Sequence, residues 1–310
     1  MQNFSEKPLP QARQEMPVIK RIRGYRLYAN NGEKYLDFFQ ESGKAILGSR
    51  PRGFSLALKN EIEKSNFYNF PSGYIKKIEK GIAKLAESGA NPATPAANQI
   101  RIAYFKTEED LCKYVSAREG REYSLCKTPA PSLPEENLCS QSSVRREIPE
   151  IFNYIYSWFP FCGSPLKQYL NDFTYVSPVL PFPGDAAPII LLSSSACKYG
   201  GLENNYFPSP VVLAGLNNII YNLIKFLEEE PYALWSEYAP KLEKLWSVKG
   251  PYLIPVYNEE NHDMIFKTFL KKKILIQPCF DQISALPAEI SEGEQKLFLD
   301  TAYNIIRSLG

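Results

Sequence analysis

The chain has 310 residues, 44% hydrophobic and 23% charged, which is enough for one large domain or two ordinary ones and typical of a globular protein. A net charge of +2 supplies no basic face, which excludes a nucleic-acid partner. No run of about 18 consecutive apolar residues occurs, and Glu6, Lys7, Arg13 and Glu15 interrupt the first twenty positions, so no membrane span or secretory leader is expected and the cytoplasm is the expected compartment.

Residues 1–20 are polar and carry prolines, which predicts an arm. Tyr25, Leu27 and Tyr28, then Ala29-Asn30-Asn31-Gly32, then Lys34 to Phe38 predict a β-hairpin, because Asn-Gly tolerates positive φ in the turn. Apolar spacing predicts helices over 54–66 and, with Ile75, Ile78, Ile82 and Leu85, over 74–87. A strand over Ile100–Phe105 and a helix over Asp110–Arg118 follow. The Pro- and Ser-rich stretch 127–147 predicts a surface loop. Ile151 to Phe161 is apolar enough for a strand or a buried helix. Four prolines between 178 and 188 exclude a regular element there. Ile189 to Leu192 predicts a buried strand, and 210–230 the clearest helix of the chain. Tyr232 to Trp246 predicts a second helix. A strand over 252–256, a helix over 263–270, a strand over 274–276 and a helix over 293–309 complete an alternating α/β order.

The chemistry-bearing residues are sparse. Six cysteines form no C-x-x-C pair, so free thiols are expected and no metal site. His262 is the single histidine, and the polar run Asn258 to Asp263 predicts that it is a solvated helix-start residue. No glycine-rich phosphate loop is present. Lys271-Lys272-Lys273 predicts the solvated end of a helix, where cations suit the dipole.

Gly24-x-x-Leu27-Tyr28-x-x-x-Gly32-x-x-Tyr35-Leu36-Asp37-Phe38, followed by Ser42-Gly43 and Leu47-Gly48, resembles the N-terminal signature of class III aminotransferases. Near the other end, Lys273-Ile274-Leu275-Ile276-Gln277-Pro278 resembles that family's small-domain strand, and Ala285 to Glu294 its entry to the last helix. Phe207-Pro208-Ser209-Pro210 resembles the phrase before its long helix. The resemblance implies an α/β fold of the PLP-dependent transferase type (fold type I). It implies a shortened large α/β/α domain plus a small α+β domain built from both chain ends. The expected divisions are 1–70 for the arm and hairpin, 71–235 for the large domain and 236–310 for the small one.

PLP chemistry needs a lysine for the imine, an acid at the pyridine nitrogen, a helix N-terminus for the phosphate and a cation for the substrate carboxylate. The family's Ser-Lys-Gly phrase aligns with Ser177-Pro178, so its lysine position holds proline. Lys198, after Ser193-Ser194-Ser195, is the displaced Schiff-base candidate. Thr107 is the candidate phosphate-cup residue, but Glu108, Glu109 and Asp110 follow it where the family has a glycine. The family's aspartate maps to Ser157 or Trp158, and its arginine near Ile283. The expectation is therefore an aminotransferase-like protein without PLP catalysis or cofactor, a homologue that binds a ligand or a partner. The alternatives are an active PLP-dependent aminotransferase using Lys198, and a structural subunit of a complex. The resemblance also implies a homodimer. A protein partner or a small amino-acid-like ligand is the expected binding target.

Overall fold

The computed structural model describes residues 16–87, 100–128, 153–163, 165–184, 186–193, 206–229 and 233–309. The predicted loop at 127–147 falls outside them from position 129 onward. In chain order the first elements are β1 (Ile19–Arg23), β2 (Arg26–Ala29), β3 (Lys34–Asp37), α1 (Phe54–Glu63) and α2 (Tyr74–Glu87). They are followed by β4 (Arg101–Phe105), α3 (Glu108–Glu119), β5 (Tyr123–Cys126), β6 (Asn153–Trp158), α4 (Leu166–Asp172), β7 (Tyr175–Pro178) and β8 (Ile189–Ser193). Then come α5 (Pro210–Glu228), α6 (Ala233–Ser236), α7 (Ala239–Leu242), β9 (Trp246–Lys249), β10 (Tyr252–Pro255), α8 (His262–Lys271), β11 (Ile274–Leu275), β12 (Ser284–Ala285) and α9 (Glu292–Leu309).

The helix expected over 232–246 is a correction. The stretch breaks into α6 and α7, the second carrying Pro240 in its first turn, and Trp246 already belongs to a strand. Within the 151–161 stretch, Asn153–Trp158 takes the strand alternative. β5, β7 and α4 have too few residues to show a period.

The chain divides into two compact units: Met1–Ser49 with Glu237–Val248 and Tyr252–Gly310, and Arg50–Ser236 with Lys249–Pro251. The second unit is built on a five-stranded sheet in the order β4-β8-β7-β6-β5. β5, β6 and β7 run parallel, and β8 lies antiparallel between β7 and β4. The carboxyl ends of β4, β5, β6 and β7 therefore share one edge. α3 covers one face, where Ala103, Phe105, Leu111, Val115, Tyr123, Ile155, Tyr175 and Leu191 form a buried cluster. α5 packs against α1 and α2, and glycine lets the backbones approach. A Cβ on Gly81 would lie 2.9 Å from Ile220, and one on Gly215 2.9 Å from Leu58.

In the first unit the hairpin forms as the Asn-Gly signal predicts. β2 pairs antiparallel with β3, Ala29 N–H donates to the Glu33 carbonyl at 2.9 Å, and Gly32 takes φ +85°. β11 joins β3 in parallel, so segments near both chain ends share the sheet β1-β2-β3-β11. A second sheet runs β12-β10-β9. Aromatic stacking fills the core: Phe38 lies 4.2 Å from Phe298, which also stacks on Trp246 at 5.9 Å.

Candidate functional site

The shared edge of the second unit is where a doubly wound sheet offers a site, since the strands end there and a helix begins. β4 passes into α3 through Thr107, whose Oγ1 accepts from the Asp110 N–H at 3.1 Å. Thr107 is thus a helix cap, as its residue type permits. Glu108, Glu109 and Asp110 fill the first turn, and Lys127 after β5 pairs with Glu108 at 2.6 Å. These carboxylates suit the helix dipole and oppose a phosphate dianion at that terminus.

The centre of the edge is apolar. β6 ends at Trp158, directly opposite Pro178 at the end of β7, with Ser157 opposite Ser177 one residue before. Trp158, Phe159, Pro160 and Phe161 follow one another in buried positions, as do Leu180, Pro181 and Phe182. Phe161 packs against Phe226 and Trp235, with ring centres 5.5 and 5.8 Å away. Phe182 meets Phe54 of α1 edge-on at 5.2 Å, over the Gly215 backbone of α5. Gly250 backs so closely on Phe161 that a Cβ there would stand 1.9 Å from its carbonyl oxygen. Burial pushes the Cys162 thiol up to about 12, which keeps it protonated and unreactive. From Trp158 to Gly163 and from Pro178 to Gly184, the described residues include no lysine, arginine or carboxylate. Among the described residues, these two strand ends thus offer neither an amine nor an acid. Lys198 lies outside the described residues.

The first unit holds its polar side chains differently. Glu294 of α9 accepts from Arg26 Nε at 2.9 Å, Arg26 Nη2 at 2.7 Å, the Tyr25 hydroxyl at 2.5 Å, Lys34 at 3.2 Å and Ser291 at 2.8 Å. Burial alone pushes this carboxyl up, but the hydrogen bonds from Arg26, Tyr25, Ser291 and Lys34 outweigh it and hold it far below the usual carboxylate range. Asp37 accepts from the Phe39 and Gln40 N–H groups at 3.0 and 2.8 Å, at the entry to a left-handed run from Gln40 to Gly43. Burial pushes its carboxyl up to about 6, against those two hydrogen bonds. Ile283, where the family's arginine maps, is 2% exposed before β12.

His262 is a second correction. It does begin α8, but it is only 8% exposed, and its Nδ1 lies 3.0 Å from the Tyr257 hydroxyl. The polar run around it hid this, because its cover comes from Tyr257, Phe266 and Phe280. The network reaching it, through Tyr257, Gln277 and Ser284, had no signal in the sequence. Lys271 and Lys272 are solvated as expected, whereas Lys273 pairs with Glu33 at 2.5 Å.

No family model matches the chain. Uncharacterised proteins of Borreliella burgdorferi and Treponema pallidum are similar to it. The first is 22% identical over 280 residues, covering 90% of this chain and 87% of that protein. The second is 20% identical over 291 residues, covering 87% and 88%. Among solved structures, the Plasmodium falciparum ornithine delta-aminotransferase superposes with a TM-score of 0.61 at 13% identity, covering 97% of this chain and 95% of that one. An omega-transaminase from Sphaerobacter thermophilus gives 0.63 at 12% identity, covering 94% and 91%. The acetylornithine aminotransferase of Elizabethkingia anophelis gives 0.58 at 12%, covering 97% and 96%. The chain thus has the fold of the PLP-dependent transferases of fold type I, as its two terminal motifs implied.

Proposed function

We propose that this protein uses the aminotransferase fold without PLP chemistry, as a homologue that binds a small amino-acid-like ligand or a protein partner. One observation carries the reading: the ends of β6 and β7 present tryptophan, phenylalanine, proline and leucine where an imine lysine and a pyridinium acid are needed. The acidic first turn of α3 supports it, since a phosphate there meets like charge. A protein partner is favoured by Phe67, Tyr68 and Phe70, which are 56%, 70% and 65% exposed between α1 and α2. The buried Glu61 carboxylate anchors both sides of that loop, accepting from Asn66 Nδ2 at 3.0 Å and from the Tyr74 hydroxyl at 2.9 Å. A homodimer is the assembly we infer from the family resemblance, and the cytoplasm is the compartment we infer, a reading supported by the unbridged thiols of Cys112, Cys126 and Cys162.

The test is a visible spectrum of the untagged protein at saturating PLP, recorded before and after borohydride, with Lys198→Ala alongside. The expected result is no imine band in either protein. A yellow band that borohydride fixes and that Lys198→Ala removes overturns the reading and establishes Lys198 as the Schiff-base lysine.

A further inference from the structure

The first unit contains a polar chain whose hydrogen-bond directions are set from Ser284 through Gln277 as far as Tyr257. The Gln277 N–H donates to Ser284 Oγ at 2.8 Å, and the Ser284 hydroxyl donates to Gln277 Oε1. That contact turns the amide nitrogen of Gln277 outward, and Nε2 donates to the Tyr257 oxygen at 3.1 Å. The Tyr257 hydrogen is then left for His262 Nδ1, 3.0 Å away. With Nδ1 accepting, the imidazole carries its hydrogen on Nε2, a buried atom without a hydrogen-bond partner among the described residues. All four side chains are buried, with Gln277 and Ser284 wholly enclosed.

This chain ties three pieces of backbone together: the loop at Tyr257, the start of α8, and the segment from Gln277 to Ser284 between β11 and β12. A proton on Nδ1 reverses the last link. The imidazolium must then donate to Tyr257, whose oxygen already accepts from Gln277, and the phenolic hydrogen must turn away from Nδ1. A buried donor without a partner costs about 1–3 kcal/mol. We propose that the Tyr257–His262 contact is a proton-operated latch, which holds the 277–284 segment to the start of α8 while the imidazole is neutral and releases it on protonation.

The surroundings agree. Burial holds His262 below the ordinary histidine range, while the Pro278 backbone, Asp263 of α8, Glu259 of the preceding turn and Asp281 of the latched segment pull toward protonation without prevailing. Burial pushes the Tyr257 phenol well above its usual range, so it keeps its hydrogen throughout. The Phe266 and Phe280 rings beside the imidazole offer no acceptor. Because the folded value is depressed, the latch is fully closed above about pH 6.5 and is lost as pH falls from there through the folded value.

His262 is the only histidine of the chain, so imidazole nitrogen resonances of the untagged protein need no assignment. At pH 7.5 they should report the Nε2–H tautomer, with a titration midpoint below that of free histidine. Tyr257→Phe should move the midpoint up toward the free value. Hydrogen exchange on the unaltered protein gives a readout that does not depend on a variant folding. Corrected for intrinsic rates, protection in 277–284 should fall about tenfold per pH unit below about 6.5, while α9 stays protected. An Nδ1–H tautomer, a midpoint at or above 6.5, or equal protection of 277–284 at pH 7.5 and 5.5 overturns the latch.

Discussion

The polar networks of the first unit contrast with the apolar sheet edge of the second. In the unit formed by the chain ends, buried polar atoms are gathered into directed networks around Glu294, Asp37 and Tyr257–His262. At the sheet edge of the other unit, the ends of β6 and β7 are lined by the buried side chains of Trp158, Phe161, Pro178 and Phe182. The difference shows that an aminotransferase signature such as Tyr35-Leu36-Asp37-Phe38 reports on architecture, because its residues build a hairpin and a turn. Chemistry has to be read separately, at the strand ends.

That contrast can be strained from either side. The largest effect is expected at the apolar edge: Phe161→Ala removes a wholly buried ring that packs against Phe226 and Trp235, and should cost about 3–5 kcal/mol in urea unfolding. A loss under about 1 kcal/mol would mean that the edge is loosely filled. Glu294→Gln comes next. It removes the charged acceptor shared by Arg26, Tyr25 and Lys34 and should cost about 1–3 kcal/mol at pH 7. The Glu294 value is depressed in the fold. Its contribution is therefore present above about pH 4.3, the unfolded value, and fades as pH falls further, so wild type and variant should converge in acid.

Asp37→Asn should have the smallest effect, and of opposite sign. The folded carboxyl is raised to about 6, so wild type gains stability as pH falls from 6 toward 4. The asparagine oxygen still accepts from Phe39 and Gln40, and the variant should be about 1 kcal/mol more stable than wild type at pH 7 and equal to it at pH 4. A thermal melt series from pH 4 to 7 measures both variants together, and a destabilised Asp37→Asn at pH 7 would show that the ionised carboxylate is needed to hold the left-handed run.

Much of this architecture was legible in the sequence. The Asn-Gly turn placed β2 and β3, apolar spacing placed α2 at its observed bounds, and two motifs far apart in the chain implied that segments near its two ends share one domain, where β11 now pairs with β3. What stayed hidden depends on partners distant in sequence. The context of His262 is polar, yet Phe280 from beyond β11 helps to bury it. β5 and β7 are four residues each, too short for a period, and only their pairing, with β6 for both and with β8 for β7, defines them. At the candidate site, the alignment of Ser177-Pro178 with the family's Ser-Lys phrase carried no strand prediction, and the pair falls at the end of β7. Nothing in the sequence foretold that Trp158 would stand opposite.

The central proposal is that this chain does not carry out PLP chemistry, and the most direct measurement is intact mass after borohydride reduction at saturating PLP, followed by peptide mapping. The account predicts a protein whose mass is unchanged apart from traces scattered over surface lysines. Stoichiometric addition of one phosphopyridoxyl group at a single lysine would contradict it.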